Sequence, residues 1–356
     1  MANITIVGAG LMGTAVAWPL SDNGHTIRLV GTHLDGDIIR SCLERGYHPK
    51  LRRPLPPRVW PYFVEQLPEA LADADVIVSG VNSLGVHWIG RTLAPLLWPG
   101  ATIIAVTKGL EAQPDGWPRI LPDVLASELP TSLRDRVSVN AIGGPCIAGE
   151  LAGRRQTCVV FTGRDEATLH RLRQLFRTDY YHIWLATDIV GVEVCAALKN
   201  AYTLAVGLAA GLLERAGGVD EAGASMHNLA AALFGVSARE MIRIVTLLGG
   251  GADKVIGLPG VGDQYVTCVG GRTIRLGRLL GRGLTYSEAV LEMAGETLEG
   301  AYIVQQLAKA LPVWEAQGHI AADELSLLRL LIRVITQEAP VDIPFDALLG
   351  HGVVML

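Results

Sequence analysis

Short apolar runs alternate with helical patterns through the first half of the chain. Ile4–Val7, Thr26–Val30, Val76–Ser79, Ile103–Val106, Val137–Ala141, Cys158–Phe161 and His182–Ala186 read as buried strands. Between them, the spacing of apolar positions predicts helices over Met12–Asp22, Gly36–Glu44, Pro68–Ala72, Leu84–Leu97 and Glu166–Phe176. Strands alternating with helices of this length predict βαβ units and a mostly parallel, doubly wound sheet. Beyond about Thr187 the strand patterns fade. Helices are predicted over Ile189–Glu214, Glu221–Leu248, Arg275–Leu280, Ser287–Ala294, Tyr302–Ala310 and Ala322–Thr336. The expected architecture is an α/β N-terminal domain over 1–188 followed by an all-α C-terminal domain over 189–356. The stretch His48–Pro54, rich in Arg and broken by Pro, reads as a surface loop.

Composition narrows the function classes. The chain has 356 residues, a net charge of −5 and a hydrophobic content of 50%. No basic run interleaved with aromatics occurs, which argues against nucleic acid as a partner. Mean hydropathy is +0.34. However, the longest nearly uncharged helical stretch, Ala201–Leu213, is closed by Lys199 and Glu214 and is too short to span a bilayer. The N-terminus enters a strand with no basic leader pattern. Cysteines at 42, 146, 158, 195 and 268 form no C-x-x-C, and the histidines show no metal-ligand spacing. A reduced, cytoplasmic protein without structural metal is expected. The sequence leaves a homodimer open.

Gly8-Ala-Gly-Leu-Met-Gly13 follows the first strand and opens the first helix. Gly8 suits the tight turn, Gly10 lets the backbone approach a pyrophosphate, and Gly13 lets helix and strand pack closely. In this context the motif predicts a Rossmann domain binding a nicotinamide or flavin dinucleotide. The second strand ends Leu29-Val-Gly-Thr-His33 with no acid in that run to receive a ribose 2′-OH. Thr32 and His33 could hydrogen-bond a 2′-phosphate. The tip therefore favours NADP or dual use, with NAD still possible.

Lysine is rare: of 30 Lys+Arg, only residues 50, 108, 199, 254 and 309 are Lys. Arginine cannot release its proton at accessible pH, so a lysine kept against this background marks a place where an ammonium able to do so is needed. Lys108 follows the apolar run Ala101–Thr107. Lys199 lies within the apolar helix Gly191–Asn200, where an unpaired charge is costly. A secondary alcohol losing hydride to a nicotinamide needs such a base for its O–H proton.

The ordered set Gly8–Gly13, Thr107-Lys-Gly-Leu110, Gly144–Glu150, Gly191-Val-Glu193 with Leu198-Lys-Asn200, and Gly257–Asp263 with Thr267 resembles the NAD(P)-dependent sn-glycerol-3-phosphate dehydrogenases, more the archaeal-type branch than the common bacterial one. The resemblance covers about residues 3 to 340. It implies reversible reduction of dihydroxyacetone phosphate, a small phosphorylated substrate, with supply of phospholipid synthesis. It implies Lys199 as proton acceptor, with Asn200 beside it. It implies Lys108 contacting both substrate and nicotinamide, and Asp263 and Thr267 lining the substrate. Gly144 and Cys146 match substrate-contacting positions, Arg272 and Thr273 the phosphate-gripping pair. Leu11, Met12, Ala148, Arg272 and Glu299 match cofactor-contacting positions.

Three departures stand out. Thr273 replaces the family's usual Asn after Arg272, and Gln264-Tyr265 follows Asp263 where apolar residues are usual. They motivate a second reading, a related dehydrogenase of another small phosphorylated or carboxylated 2-hydroxy compound. A third reading is a non-catalytic dinucleotide-binding sensor, which would need neither lysine. Glu150 and Glu193 are expected to be structural, holding helix ends or ion pairs.

Overall fold

The computed structural model describes residues 1–349; residues 350–356, the end of the expected helical domain, lie outside the described residues. The chain divides into two compact units. The first comprises residues 1–108 and 120–193; the second comprises 109–119 and the residues from Val194 onward. The helical unit thus includes a short segment, 109–119, that a single cut at 188/189 assigns to the dinucleotide domain.

The first unit is built on an eight-stranded sheet. Its strands are β1 (Asn3–Val7), β2 (Thr26–Val30), β3 (Val59–Tyr62), β4 (Val76–Ser79), β5 (Thr102–Ala105), β6 (Ser138–Gly143), β7 (Thr157–Thr162) and β8 (Tyr181–Ala186). Their order across the sheet is β8-β7-β6-β5-β4-β1-β2-β3. Neighbours pair parallel except β6 with β7, which are antiparallel. This is the doubly wound order, in which the chain starts at the centre and winds outward both ways. Alternation along each strand builds two cores. Ile4, Ile6, Val76, Val78 and Ile104 face the helices Gly36–Arg45 and Glu166–Phe176. Val7, Val30, Ile77 and Ile103 face those at Val86–Leu93 and Leu121–Ser127.

The first helix is not the single run predicted over Met12–Asp22. It forms as Leu11–Ala15 and Ala17–Asp22, broken at Val16 (φ −68°, ψ −11°). Pro19 lacks the N–H that would bond the Ala15 carbonyl and its ring crowds that turn. β3 was not predicted: it is an edge strand containing Pro61, which argues against a strand in sequence. The Pro/Arg stretch also holds more order than a loop, a hairpin of Tyr47–His48 with Arg53–Pro54.

Among the described residues, the second unit is helical but for a two-stranded hairpin, Leu110–Ala112 with Pro118–Ile120, whose last residue belongs to the first unit. Its central helix, Ile189–Arg215, is long and apolar enough to cross a membrane by length and composition, yet its most apolar 18-residue window is 89% buried inside the protein. It is a core helix. The helix predicted from Glu221 begins only at His227. Gly217, Gly218 and Gly223 take positive φ, and the Asp220 carboxylate accepts from the N–H groups of Ala222 and Ala224, a local turn that competes with helix.

Close backbone contact sets the packing of this unit. A Cβ on Gly277, in the helix Arg272–Arg282, would lie 2.2 Å from the Leu204 carbonyl oxygen, and one on Gly281 2.3 Å from that of Leu208. From the other side, a Cβ on Gly207 would meet the Ile274 oxygen at 2.5 Å and one on Gly211 the Arg278 oxygen at 2.0 Å. Helix Glu299–Ala316 joins them at Gly300, where a Cβ would sit 2.7 Å from the Asn200 oxygen and 2.9 Å from the Thr273 methyl. Gly235, also helical, has nothing within 4 Å of such a Cβ. Gly235→Ala is therefore expected to stabilise by about 0.5–1 kcal/mol through helix propensity. Gly277→Ala should lose that gain and destabilise by about 1–3 kcal/mol through overpacking. Urea unfolding of the two variants checks this; a stabilised Gly277→Ala would mean the helices can separate freely.

Candidate active site

The glycine-rich turn sits at the C-terminal end of β1. Gly8 has φ +112°, and a Cβ there would lie 2.7 Å from the Gly80 carbonyl carbon. A Cβ on Gly13 would meet the Gly8 oxygen at 2.6 Å, and one on Gly80 would meet the same oxygen at 2.6 Å. Gly8, Gly13 and Gly80 thus form one contact between the turn and the end of β4. Gly80 was missed by the sequence reading; its signal is a glycine directly after the apolar strand Val76–Ser79. Gly10 differs: a Cβ on it would meet only the Gly80 oxygen, at 3.7 Å. It leaves open space at a helix start with no capping side chain. The exposed Leu11 and half-buried Met12 follow it. A backbone bare at Gly10 and locked at Gly8 and Gly13 fits a dinucleotide pyrophosphate.

The tip of β2 corrects the expectation that no acid lies near it. Asp35, 8% exposed, folds back onto the tip. Its Oδ2 accepts from the Thr32 N–H (2.9 Å), the Thr32 hydroxyl (2.8 Å) and the Ala9 N–H (3.2 Å). The carboxylate is thus committed to the fold, and Thr32 with it. His33 is exposed and packs edge-on against Trp88, with ring centroids 5.4 Å apart.

Also in the first unit, half-buried Lys108 donates from Nζ to the Gly144 carbonyl at 2.9 Å. Gly144 has φ +98°, a conformation that favours glycine. Cys146 and Ala148 follow, partly buried against the core, and Ala148 opens the helix Ala148–Ala152.

In the second unit the structure brings three of the remaining candidates, Lys199, Asp263 and Thr267, into contact. Lys199 Nζ lies 3.0 Å from Asp263 Oδ1, with side chains only 9% and 3% exposed. It also donates to the Thr267 hydroxyl at 2.7 Å, which in turn donates to the Asp263 carbonyl at 2.7 Å. The glycine motif ahead of Asp263 has a structural cause. Leu258–Gly262 forms a π-helical turn, and a Cβ on Gly260 would stand 2.1 Å from the Val255 oxygen. That wide turn delivers Asp263 to the first turn of the helix Asp263–Val269, where a carboxylate suits the helix dipole. Arg272 Nη2 donates to both oxygens of Glu299, at 2.7 and 2.9 Å. Thr273 is buried, and Asn200 is half-buried; the Gly300 contact holds the two positions close.

The departures from the family pattern now have explanations. Gln264 is fully buried and donates from Nε2 to the Ser237 hydroxyl at 2.7 Å, tying its helix to His227–Leu247. Thr273 packs its methyl at Gly300, and Tyr265 is 68% exposed.

Glu193 corrects a second expectation. It is fully buried, and neither carboxyl oxygen has a hydrogen-bond partner among the described residues. Burial pushes its acid up to about 8, against a smaller opposing pull from Lys108. Burial thus favours its neutral form, and no ion-pair partner for it is seen among the described residues. Glu150, in contrast, is exposed in the first turn of its helix.

A sheet wound outward from a glycine-rich turn, followed by a helical unit holding a buried lysine–aspartate pair, is the build of a two-domain nicotinamide-dependent dehydrogenase. Residues 3–169 match the family described as NAD-dependent glycerol-3-phosphate dehydrogenase N-terminus, and residues 188–345 match the corresponding C-terminus. The chain belongs to the NAD-dependent glycerol-3-phosphate dehydrogenase family, and it is an NAD(P)-dependent oxidoreductase. It is 33% identical over 339 residues to an NADP(+)-dependent glycerol-3-phosphate dehydrogenase of Archaeoglobus fulgidus, covering 95% of this chain and 96% of that one. It is 32% identical to a glycerol-3-phosphate dehydrogenase [NAD(P)+] of Bacillus subtilis, over 89% of each. The crystal structure of glycerol-3-phosphate dehydrogenase from Coxiella burnetii superimposes with a TM-score of 0.78, at 27% identity over 98% of both chains.

Glu193 generates a pH prediction. Between its ordinary value of 4.5 and about 8 the folded chain binds one proton more than the unfolded chain, so its contribution to stability falls as pH rises through that window. Glu193→Gln keeps the shape without the charge. Its stability relative to the native chain should grow by up to about 1.4 kcal/mol per pH unit between roughly pH 5 and pH 8. Urea melts across that range measure it; parallel curves would mean Glu193 ionises as freely as in the unfolded chain.

Proposed function

We propose that this chain catalyses the reversible NAD(P)H-dependent reduction of dihydroxyacetone phosphate to sn-glycerol 3-phosphate, feeding phospholipid synthesis in the cytoplasm, alone or as a homodimer. One observation carries the assignment of roles: a lysine in an arginine-rich chain, buried against Asp263 and Thr267 in the unit that also holds Arg272. Gly8, Gly10, Leu11, Met12 and Gly13 would hold the dinucleotide, with His33, Ala148 and Glu299 contributing and Thr32, tied to Asp35, shaping the tip. A bound nicotinamide would supply hydride to the carbonyl carbon in reduction and accept it from the same carbon in oxidation. Lys199 gives its proton to the carbonyl oxygen during reduction and takes it back during oxidation. Asp263 holds the ammonium in place, and Thr267 fixes its direction through the hydroxyl. Lys108 contacts the substrate carbonyl region and the nicotinamide, steadied by Gly144. Asn200 and Cys146 line the substrate. Arg272 grips the phosphate with the guanidinium donors that Glu299 leaves available, and Thr273 supports that helix start.

The second reading, another phosphorylated or carboxylated 2-hydroxy compound, rested on Gln264, Tyr265 and Thr273. Two of these serve packing, and the third points to solvent, which removes its motive. A non-catalytic sensor has no use for a buried ion pair whose desolvation must be offset. The assay is oxidation of NADH and of NADPH with dihydroxyacetone phosphate, against dihydroxyacetone and glyoxylate. Binding of cofactor without turnover of the phosphorylated ketone would sink the proposal.

Lys199→Ala should lower turnover by roughly 10²–10⁴-fold with dinucleotide binding retained. Lys199→Arg should not restore it, because a guanidinium does not trade its proton. Near-native turnover in either variant removes Lys199 from the chemistry.

Arg272→Ala should cost about 10- to 100-fold in kcat/KM for the phosphorylated ketone, the worth of a charge-assisted contact, and much less for dihydroxyacetone. Equal losses for both substrates would assign Arg272 to the cofactor or the fold.

A further inference from the structure

The hairpin Tyr47–Pro54 lies outside every role assigned above, yet its one buried polar side chain reaches the glycine-rich turn. His48 is 0% exposed. Its Nε2 lies 2.9 Å from the Ala9 carbonyl oxygen, and its Nδ1 lies 3.0 Å from the Leu51 backbone nitrogen. The Leu51 N–H can only donate, so Nδ1 is an acceptor and the ring hydrogen sits on Nε2, donating to Ala9. The other backbone polar group of Ala9, its N–H in the preceding peptide group, donates to Asp35. Ala9 itself is fully buried between Gly8 and Gly10. Two side chains from separate segments thus grip one residue of the turn, one through each of the peptide groups that flank its Cα.

We propose that His48 is a positioning residue for the dinucleotide: with Asp35 it clamps the two peptide groups flanking Ala9 and presets the glycine-rich turn, and protonation of its imidazole releases the clamp. The proposal rests on the reading of that turn as the cofactor site. A second ring proton would face the Leu51 N–H, donor against donor, so the grip survives only with the neutral ring. Burial lowers the basicity of His48, and the Lys50 charge on its own hairpin acts in the same direction. Its bond to the Ala9 oxygen and the Asp35 charge oppose them. The clamp therefore holds at neutral pH and is lost on acidification, which should loosen the cofactor.

The test is titration of the full-length chain with NADPH and NADH, followed by nicotinamide fluorescence, at about pH 7.5 and about pH 5.5. Loss of a buried hydrogen bond that leaves the Ala9 carbonyl unmet predicts a rise in Kd of roughly 5- to 50-fold for His48→Ala at the higher pH. The same rise should appear in the dinucleotide KM, with kcat at saturation far less affected. His48→Gln retains a donor for the Ala9 carbonyl and does not titrate. It should recover most of the affinity and weaken less than the native chain on acidification. Native affinity in a folded His48→Ala, or a His48→Gln chain as pH-sensitive as the native one, would overturn the clamp. If His48→Ala does not fold, the pH profile of His48→Gln decides. A native chain that binds neither dinucleotide overturns the reading of the turn itself, and the clamp with it.

Discussion

Backbone-to-backbone contact at glycine is the constraint on which the helical unit depends. Helices usually keep 8–10 Å between axes because side chains intervene. Here Gly207 and Gly211 face Gly277 and Gly281, and no Cβ stands between the two backbones. The spacing of four residues in each helix puts both glycines of a pair on one stripe. Lys199 lies two turns before Gly207 in the same helix, and Arg272 opens the partner helix. The crossing therefore fixes how far Lys199 stands from Arg272. The Gly300 contact adds the third helix and with it Glu299.

The same logic governs the glycine-rich turn, with a different outcome. Gly8, Gly13 and Gly80 are filled by backbone, whereas Gly10 is left open. The motif alone assigns Gly8 to the turn, Gly13 to packing and Gly10 to the ligand side, and the space opposite each glycine divides them the same way. The structure adds Gly80, which lies outside the motif. Buried charge follows a parallel division. Lys199 and Asp263 meet each other, Asp35 meets three donors, and Glu193 meets none among the described residues, so that burial favours its protonated form. Each carboxyl group answers its desolvation differently, by ion pairing, by hydrogen bonding or by keeping its proton.

Much of this was legible from the chain. β4 and the helix Glu166–Phe176 fall where the apolar period places them, and the lysine count singled out Lys199 before any geometry was known. What escaped was set by tertiary contact. β3 carries Pro61 and is held by one neighbour, so its period is weak. Asp35 lies in a loop, and nothing local tells that it turns back onto the tip of β2. Gln264 looked like an altered substrate contact because its partner, Ser237, is 27 residues away in sequence. Glu193 sits on a helix whose neighbours are all apolar, so the sequence gives no sign whether a counter-charge waits across the fold.

The hairpin at 109–119 makes the two units interleaved along the chain. Its residues pack on the helix Glu299–Ala316: the Ala112 N–H donates to the Gln306 side chain at 3.0 Å, and Trp117 packs against Trp314 with ring centroids 6.1 Å apart. The chain therefore leaves the sheet unit, completes the helical unit and returns before finishing the sheet. Inheritance of the C-terminal half as a module is then incomplete. A chimera joining this sheet unit to a relative's helical half by one crossover would place a foreign hairpin against a native helix, or the reverse. Recombination between family members has to exchange two segments together, which ties the history of residues 109–119 to that of a helix almost two hundred positions downstream.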